Sequence, residues 1–322
     1  MDKIEKLEQL ILKKYGNTGA VMVQKNGTTV YEYYLNDCTK ESPFHVFSVT
    51  KSILSLLIGI AIDKGYIQDV NQPVLDFFPN YEIAKGECTI QKITIRDMLT
   101  MTAPYKYVFA PYAKYFSSED WVKTSLDYLG GRGKIGKFRY APIIGPDILS
   151  AIIMNSTGKQ VLDFANEYLF GPLEISVPGN IEFHDKKGQM EFYESKTTEG
   201  WVLGPSGVHT GGWGLVLRPS DMIKIGQLLL NHGKWNGEQI VSKKWIQEST
   251  NQKMQWKNFK YGYLWWVIDK DDQSYAALGD GGNVIYINPK QEMVVVIASY
   301  FKQKTEDRMK LIKESIEPLW SN

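Results

Sequence analysis

The chain carries little of what many catalytic and binding signatures are built from. It has two cysteines and four histidines. Cys38 and Cys88 stand fifty residues apart in no metal-ligand spacing, so neither a disulfide framework nor a zinc centre is indicated, and at most one bridge remains open. The histidines, at 45, 184, 209 and 232, form no His-Glu-x-x-His helix. No charge of one sign dominates: 37 basic against 36 acidic residues leave a formal charge of +1. No overall field therefore draws the chain to nucleic acid or to an anionic membrane. Long apolar runs are missing too. The longest, Ile53 to Ile62, contains Ser55 and Gly59 and stops well short of the roughly 20 residues a spanning helix needs. The first twelve residues mix acids and bases with apolar residues at helical spacing, unlike the core of a signal peptide, and predict a surface helix on a soluble, cytoplasmic protein.

What is present is a globular composition, 43% apolar and 23% charged over 322 residues, enough for one large domain or two ordinary ones. Gly19 to Gln24 and Thr29 to Tyr34 are β-prone runs flanking Asn26-Gly27, a strong hairpin signal. From Phe47 the spacing turns helical until near Gly65. Further helical segments lie at Thr94 to Leu99, Ser118 to Leu129 and Ile143 to Ser156, separated by Pro and Gly. Strand character returns in Tyr261 to Ile268, Val284 to Asn288 and Met293 to Tyr300, the last two joined by a turn through Pro289, and Thr305 to Trp320 reads as a closing helix. Strands at both ends around a helical middle predict a mixed α/β (α+β) fold. Residues 1–66 and 201–322 would build an antiparallel sheet flanked by helices, and 67–200 a mostly helical inserted domain.

Several chemical motifs fit by letters and fail by context. Gly131-Arg132-Gly133-Lys134-Ile135-Gly136 spells the dinucleotide fingerprint, and Gly131 to Lys137 most of a phosphate-binding loop. Both need a helix whose N-terminus receives phosphate, whereas Phe138-Arg139-Tyr140-Ala141-Pro142 follows, and Phe138 stands where a magnesium-binding Ser or Thr belongs. A loop is predicted there. The Gly-x-Ser-x-Gly elbow is absent, since Gly204-Pro205-Ser206-Gly207-Val208 fails at its last position.

Ser-x-x-Lys remains, in three copies: Ser48 with Lys51, Ser156 with Lys159, and Ser299 with Lys302. At this spacing a hydroxyl and an amine share a face on a helix but point apart on a strand. Ser299 ends a predicted strand, and Ser156-Thr157-Gly158 looks like a helix stop. Ser48 instead opens a helix with no charge between Lys51 and Asp63, and a helix apolar nearly all round is a buried one. Burial would favour the neutral amine that a base for serine requires, while the helix N-terminus offers N–H groups to an oxyanion. A capping serine beside a snorkelling lysine is the alternative.

Other landmarks follow in order: Ile95 to Thr102; Phe138-Arg139-Tyr140 and then Ile148 to Gly158; Gly211-Gly212-Trp213-Gly214 through Asp221-Met222; and Gly279 to Val296. With Phe47 to Ser52 they resemble, over nearly the whole chain, the serine β-lactamase and penicillin-binding-protein superfamily. The likeness is strongest to the class C β-lactamase-like hydrolases that include esterases and D-aminopeptidases. The resemblance implies the β-lactamase/transpeptidase-like fold, an active site between the two domains, an acyl-enzyme on Ser48, and no metal or organic cofactor. Lys51 and Tyr140 would share the proton, the tyrosine as a phenolate favoured by the lysine cation. The backbone N–H groups of Ser48 and Asn283 would form the oxyanion hole.

Two departures shape the expected substrate. The family's Tyr-x-Asn becomes Tyr140-Ala141-Pro142, which removes a side-chain amide. Its Lys-Thr-Gly or His-x-Gly becomes Asp280-Gly281-Gly282, substrate-binding positions with the charge reversed; His209-Thr210-Gly211 matches better by letters but does not lie on a strand paired through a Pro turn. A carboxylate at 280 should repel the carboxylate of a β-lactam or peptidoglycan stem. The expectation is a hydrolase of a small neutral or amine-bearing ester, amide or peptide-like substrate, and an inefficient β-lactamase. The alternatives are a non-catalytic ligand sensor on the same fold, and a D,D-carboxypeptidase, which would need export. Tyr105, Tyr107, Phe109, Tyr112, Tyr115 and Phe116 could line an acyl pocket or simply pack inside the helical region.

Overall fold

The structure, a computed structural model, describes residues 2–183 and 185–321; Met1, Asn322 and, of the four histidines, His184 lie outside the described residues. The two chain ends build one eight-stranded antiparallel sheet. Its strands are β1 (Thr18–Lys25), β2 (Thr28–Tyr34), β3 (Met254–Trp256), β4 (Phe259–Tyr261), β5 (Trp266–Asp269), β6 (Ser274–Gly279), β7 (Asn283–Asn288) and β8 (Met293–Ser299). Their spatial order is β2-β1-β8-β7-β6-β5-β4-β3, so the N-terminal hairpin adds directly onto the last strand. Asn26 at φ 51° and Gly27 at φ 72° make the two-residue turn that matches strand twist, as the Asn-Gly pair predicts.

The central strands read as continuous apolar runs because both faces of the sheet are covered. Val21, Val23, Val284, Tyr286, Val295 and Ile297 pack under α1 (Lys3–Lys14) and the C-terminal helical run 308–320. Their neighbours Ala20, Met22, Ile285, Ile287, Val294 and Val296 face the other way, into a larger core shared with α2 (Val49–Asp63). The middle of the chain contributes α3 (Ile95–Leu99), α4 (Tyr112–Phe116), α5 (Trp121–Tyr128), α6 (Pro146–Thr157), α7 (Val161–Ala165) and α8 (Lys186–Glu194). α9 (Pro219–Leu230) and α10 (Lys243–Thr250) return the chain to the sheet. Helix α2 is the hinge of this arrangement, touching β6 and β7 on one side and α6 and α10 on the others. Every residue from Val49 to Ala61 is buried.

Two sequence expectations change, and one strand that the sequence reading did not include joins the sheet. The run Tyr261 to Ile268 is two strands: Leu264 takes φ 62°, and its amide and carbonyl bond to Leu99 and Ser52 instead of a neighbouring strand. Ser274–Gly279, too rich in alanine to read as a strand, sits inside the sheet as β6. Cys38 and Cys88 are both free, Cys38 buried against the Tyr300 hydroxyl and Cys88 exposed. Among the described residues no helix is long and apolar enough to cross a membrane.

Gly59 shows how tightly α2 is seated. A β-carbon there would lie 2.2 Å from Cδ1 of Trp245, whose indole N–H donates to the Ser55 carbonyl. Gly59→Ala should therefore lower stability by about 1–3 kcal/mol, the usual result of overpacking a full core. Urea denaturation checks this, and an unchanged midpoint would mean that α10 can move aside.

Candidate active site

The chain approaches α2 as an extended segment. Phe44–His45 pairs with Val216–Leu217, and the Val46 amide donates to the Leu215 carbonyl. Phe47 then takes φ 47°, a left-handed conformation that a bulky residue adopts only under constraint. Its ring is held by His45 at 3.8 Å, and by Tyr193 and Phe301. The kink leaves Ser48 at the helix N-cap with helical dihedrals and no capping hydrogen bond. Its hydroxyl accepts from Lys51 Nζ at 2.9 Å instead. Ser48 is partly exposed, whereas Phe47 and Val49 are buried.

Lys51 is 1% exposed, which rules out snorkelling. Its second hydrogen bond goes to the Gly212 carbonyl at 2.6 Å. Burial pushes its pKa down to about 7, against the upward pull of the Asp280 and Asp147 carboxylates. Near neutrality much of it is therefore free amine, a form that can accept a proton. The other polar side chains of this turn are also satisfied: Thr50 accepts from the Leu215 amide, and Ser52 donates to the Leu264 carbonyl.

Gly212 reaches Lys51 because nothing larger fits. A β-carbon on Gly211 would lie 2.4 Å from the Pro146 carbonyl oxygen, and one on Gly212 2.5 Å from that of Pro142. The turn is also fastened from α6. Asp147, 2% exposed, accepts the Gly211 N–H at 2.8 Å and the Tyr115 phenol. Burial raises its pKa to about 6. Sequence reasoning missed Asp147, because an acid in a helix's first turn reads as an ordinary complement to the helix dipole.

Tyr140 lies in the loop before α6, between Trp266 and Tyr261, with Lys51 Nζ 5.5 Å from its ring centroid. The structure thus gathers Ser48, Lys51 and Tyr140. The expected phenolate is corrected: burial pushes the phenol up to about 12, Asp280 adds to that, and the Ser48 hydroxyl only partly offsets it. Tyr140 rests as a phenol beside Ser48.

The four expected substrate-binding residues separate. Asp280 is exposed, and its charge acts on Lys51, Tyr140, Tyr112 and Tyr193, which puts it near these groups. Gly281 and Gly282 are buried, packed against Tyr300–Phe301 and Arg308. Asn283 is completely buried. Its side-chain amide donates to the His45 and Asp280 carbonyls and accepts from the Ser299 amide, and the backbone N–H expected to meet the oxyanion is buried with it. What faces α2 instead is the end of β6. That strand has its last β5 partner at Ala276, and the α-carbon of Gly279 packs on the Val46 carbonyl.

The rival motifs lie elsewhere. Gly158 is the left-handed cap of α6, Lys159 pairs with Glu167, and Ser299 ends β8. His209 is buried with Nε2 on Asn180. The Gly131 segment is loop, and the next helix begins only at Pro146. Of the aromatic stretch, Tyr105 and Tyr115 are core residues, Phe109 is exposed, and Tyr112 stands near Asp280.

Residues 4–314 match the family described as Beta-lactamase, and the chain belongs to that family. It is 22% identical over 302 residues to the 6-aminohexanoate-dimer hydrolase of Paenarthrobacter ureafaciens, covering 87% of this chain and 71% of that one. The octameric penicillin-binding protein homologue of Pyrococcus abyssi shares the fold with a TM-score of 0.70 at 19% identity, covering 99% of this chain and 77% of that one. A family VIII carboxylesterase does so with a TM-score of 0.71 at 14% identity, covering 98% and 96%.

Holding Lys51 near 7 when its ordinary value is 10.5 has a consequence for stability. Between those values the unfolded chain binds the extra proton, so this group's contribution to stability improves as pH rises from about 7 to about 10.5, and is worst below 7. Lys51→Met, similar in volume and uncharged, lacks this titration, so its stability relative to wild type should be more favourable at pH 6 than at pH 10, by on the order of a few kcal/mol. Paired thermal melts across that range test it; a gap independent of pH contradicts the depressed pKa.

Proposed function

We propose that this protein is a serine hydrolase that cleaves a small neutral or amine-bearing ester or amide through an acyl-enzyme on Ser48. The observation that carries the reading is a hydroxyl 2.9 Å from a buried amine whose pKa lies near 7. As Ser48 Oγ attacks the substrate carbonyl, Lys51 takes its proton. The Tyr140 phenol gives a proton to the leaving group and regains one from the Lys51 ammonium. Water then repeats the sequence on the acyl-enzyme, with Lys51 again the base. The oxyanion is met by N–H groups at the start of α2, Ser48 among them, and by the free edge of β6. The site lies where the sheet-bearing part, 1–66 and 201–322, meets the helical part, 67–200.

Asp280 supports the choice of substrate. A carboxylate at the mouth of a partly desolvated cleft disfavours an anionic substrate and favours a neutral or cationic one. Of the similar proteins, one is named a 6-aminohexanoate-dimer hydrolase and one a carboxylesterase.

Three measurements on one preparation test the reading. A fluorophosphonate should label wild type and leave Ser48→Ala unmarked. With a simple aryl ester, kcat/KM should rise with pH through about 7 as Lys51 loses its proton, and nitrocefin turnover should be far slower. Equal labelling of Ser48→Ala refutes the nucleophile, and nitrocefin turnover matching the ester refutes the role of Asp280. Absence of any labelling, together with saturable binding of a ligand, would favour the sensor.

A further inference from the structure

Asp147 is a buried carboxylate that the steps above leave without a task. It is bonded to Gly211 N–H and to the Tyr115 phenol, and the cation acting on it is Lys51. Tyr115 is itself completely buried on α4, stacked on Trp121, so a phenol has been committed to this acid deep in the core. Burying a carboxylate is expensive unless its charge is used or matched. The Gly211-Gly212 turn connects the two ions, Asp147 holding the amide of one glycine and Lys51 the carbonyl of the next.

We propose that Asp147 is a positioning residue for the Ser48 reaction, fixing the turn on which Lys51 is seated and acting as the resident counter-charge of the ammonium that forms there. The inference rests on the hydrolase reading. As the bond from Ser48 Oγ to the carbonyl carbon forms, the serine proton moves to Lys51 Nζ and the carbonyl π pair moves to oxygen. Asp147 exchanges neither proton nor bond; its charge stabilises the new cation. The other groups in play are few. Asp280 acts on Lys51 from the end of β6, and Tyr115 faces Asp147 from α4. On α5, Lys123 and Asp127 pair with each other, and on α3, Arg96 is bonded to Asn71 and Tyr263.

Asp147→Asn separates this role from plain scaffolding. Its amide oxygen can keep the Gly211 N–H, and its amide nitrogen can donate to the Tyr115 oxygen, so the turn survives while the charge goes. Without the carboxylate, Lys51 is a weaker base with a less stabilised ammonium. The low-pH limb of kcat/KM for the aryl ester should move down by about half a pH unit or more, and the plateau should fall about tenfold. A merely structural carboxylate would lower the rate evenly, or not at all, and leave the limb in place; either result overturns the inference. Should the variant fail to fold by circular dichroism, Tyr115→Phe serves. Removing that donor leaves Asp147 uncharged over more of the neutral range, so the limb should move the same way while the rate at pH 9 stays within about twofold; an unmoved limb again overturns it. Ser48→Ala is run alongside: continued hydrolysis by it defeats the hydrolase reading, whereas a dead Ser48→Ala with an unmoved limb in the Asp147 variant defeats the Asp147 inference alone.

Discussion

An ammonium group that cannot reach water must either lose its proton or be met by partners, and Lys51 does some of each. Its place in the first turn of a helix buried on all sides leaves two oxygens within hydrogen-bond distance, Ser48 Oγ and the Gly212 carbonyl. Much of the surrounding architecture follows from supplying them. The strained Phe47 turns Ser48 away from the capping geometry that a serine at a helix start normally adopts. The Gly211-Gly212 pair lies flush on the backbone at 142–146, where no side chain could fit. Pro142 takes part in this packing through its carbonyl oxygen, which lies 2.5 Å from where a β-carbon on Gly212 would stand.

Such a site is a burden on the fold that carries it. Placing Lys51 and Asp147 in the interior works against stability at neutral pH, and the offset comes from burial elsewhere: a sheet covered on both faces, and a helix α2 whose remaining residues fill a core continuous with α6, α9 and α10. A surface helix could not have depressed the lysine pKa to about 7, and a smaller core could not have tolerated it.

Local physics was readable in the sequence. The Asn26-Gly27 hairpin, the buried character of α2 and the Gly158 stop each depend on residues within one or two turns of one another. What escaped depended on distant partners. β6 is alanine-rich and becomes a strand because β5 and β7 flank it. Leu264 breaks the run at 261–268 because Leu99 and Ser52 claim its backbone. Burial of Asn283 removed it from the cleft, and burial of Tyr140 reversed its expected ionisation; neither burial has a signature in the residues beside it. Asp147 was invisible for the same reason: its partners are a backbone amide and a tyrosine from two remote segments.

Two carboxylates act on Lys51 from different environments, and the difference matters. Asp147 is buried and held by Gly211 and Tyr115, so on the proposed reading its carboxylate, ionised above about pH 6, stabilises the ammonium without solvent screening. Asp280 is exposed, and on the proposed reading it faces the incoming substrate. There it is screened by solvent in the empty cleft and matched by any cation that binds. An ammonium seated at Asp280 would cancel the field that raises the Lys51 pKa, and so increase the fraction of free amine at a fixed pH. An anionic substrate would do the reverse and hold the lysine protonated. On the proposed reading, charge selection would therefore do more than repel or attract: it would act on the base itself, so that a substrate of the favoured sign would activate the group that begins its own cleavage.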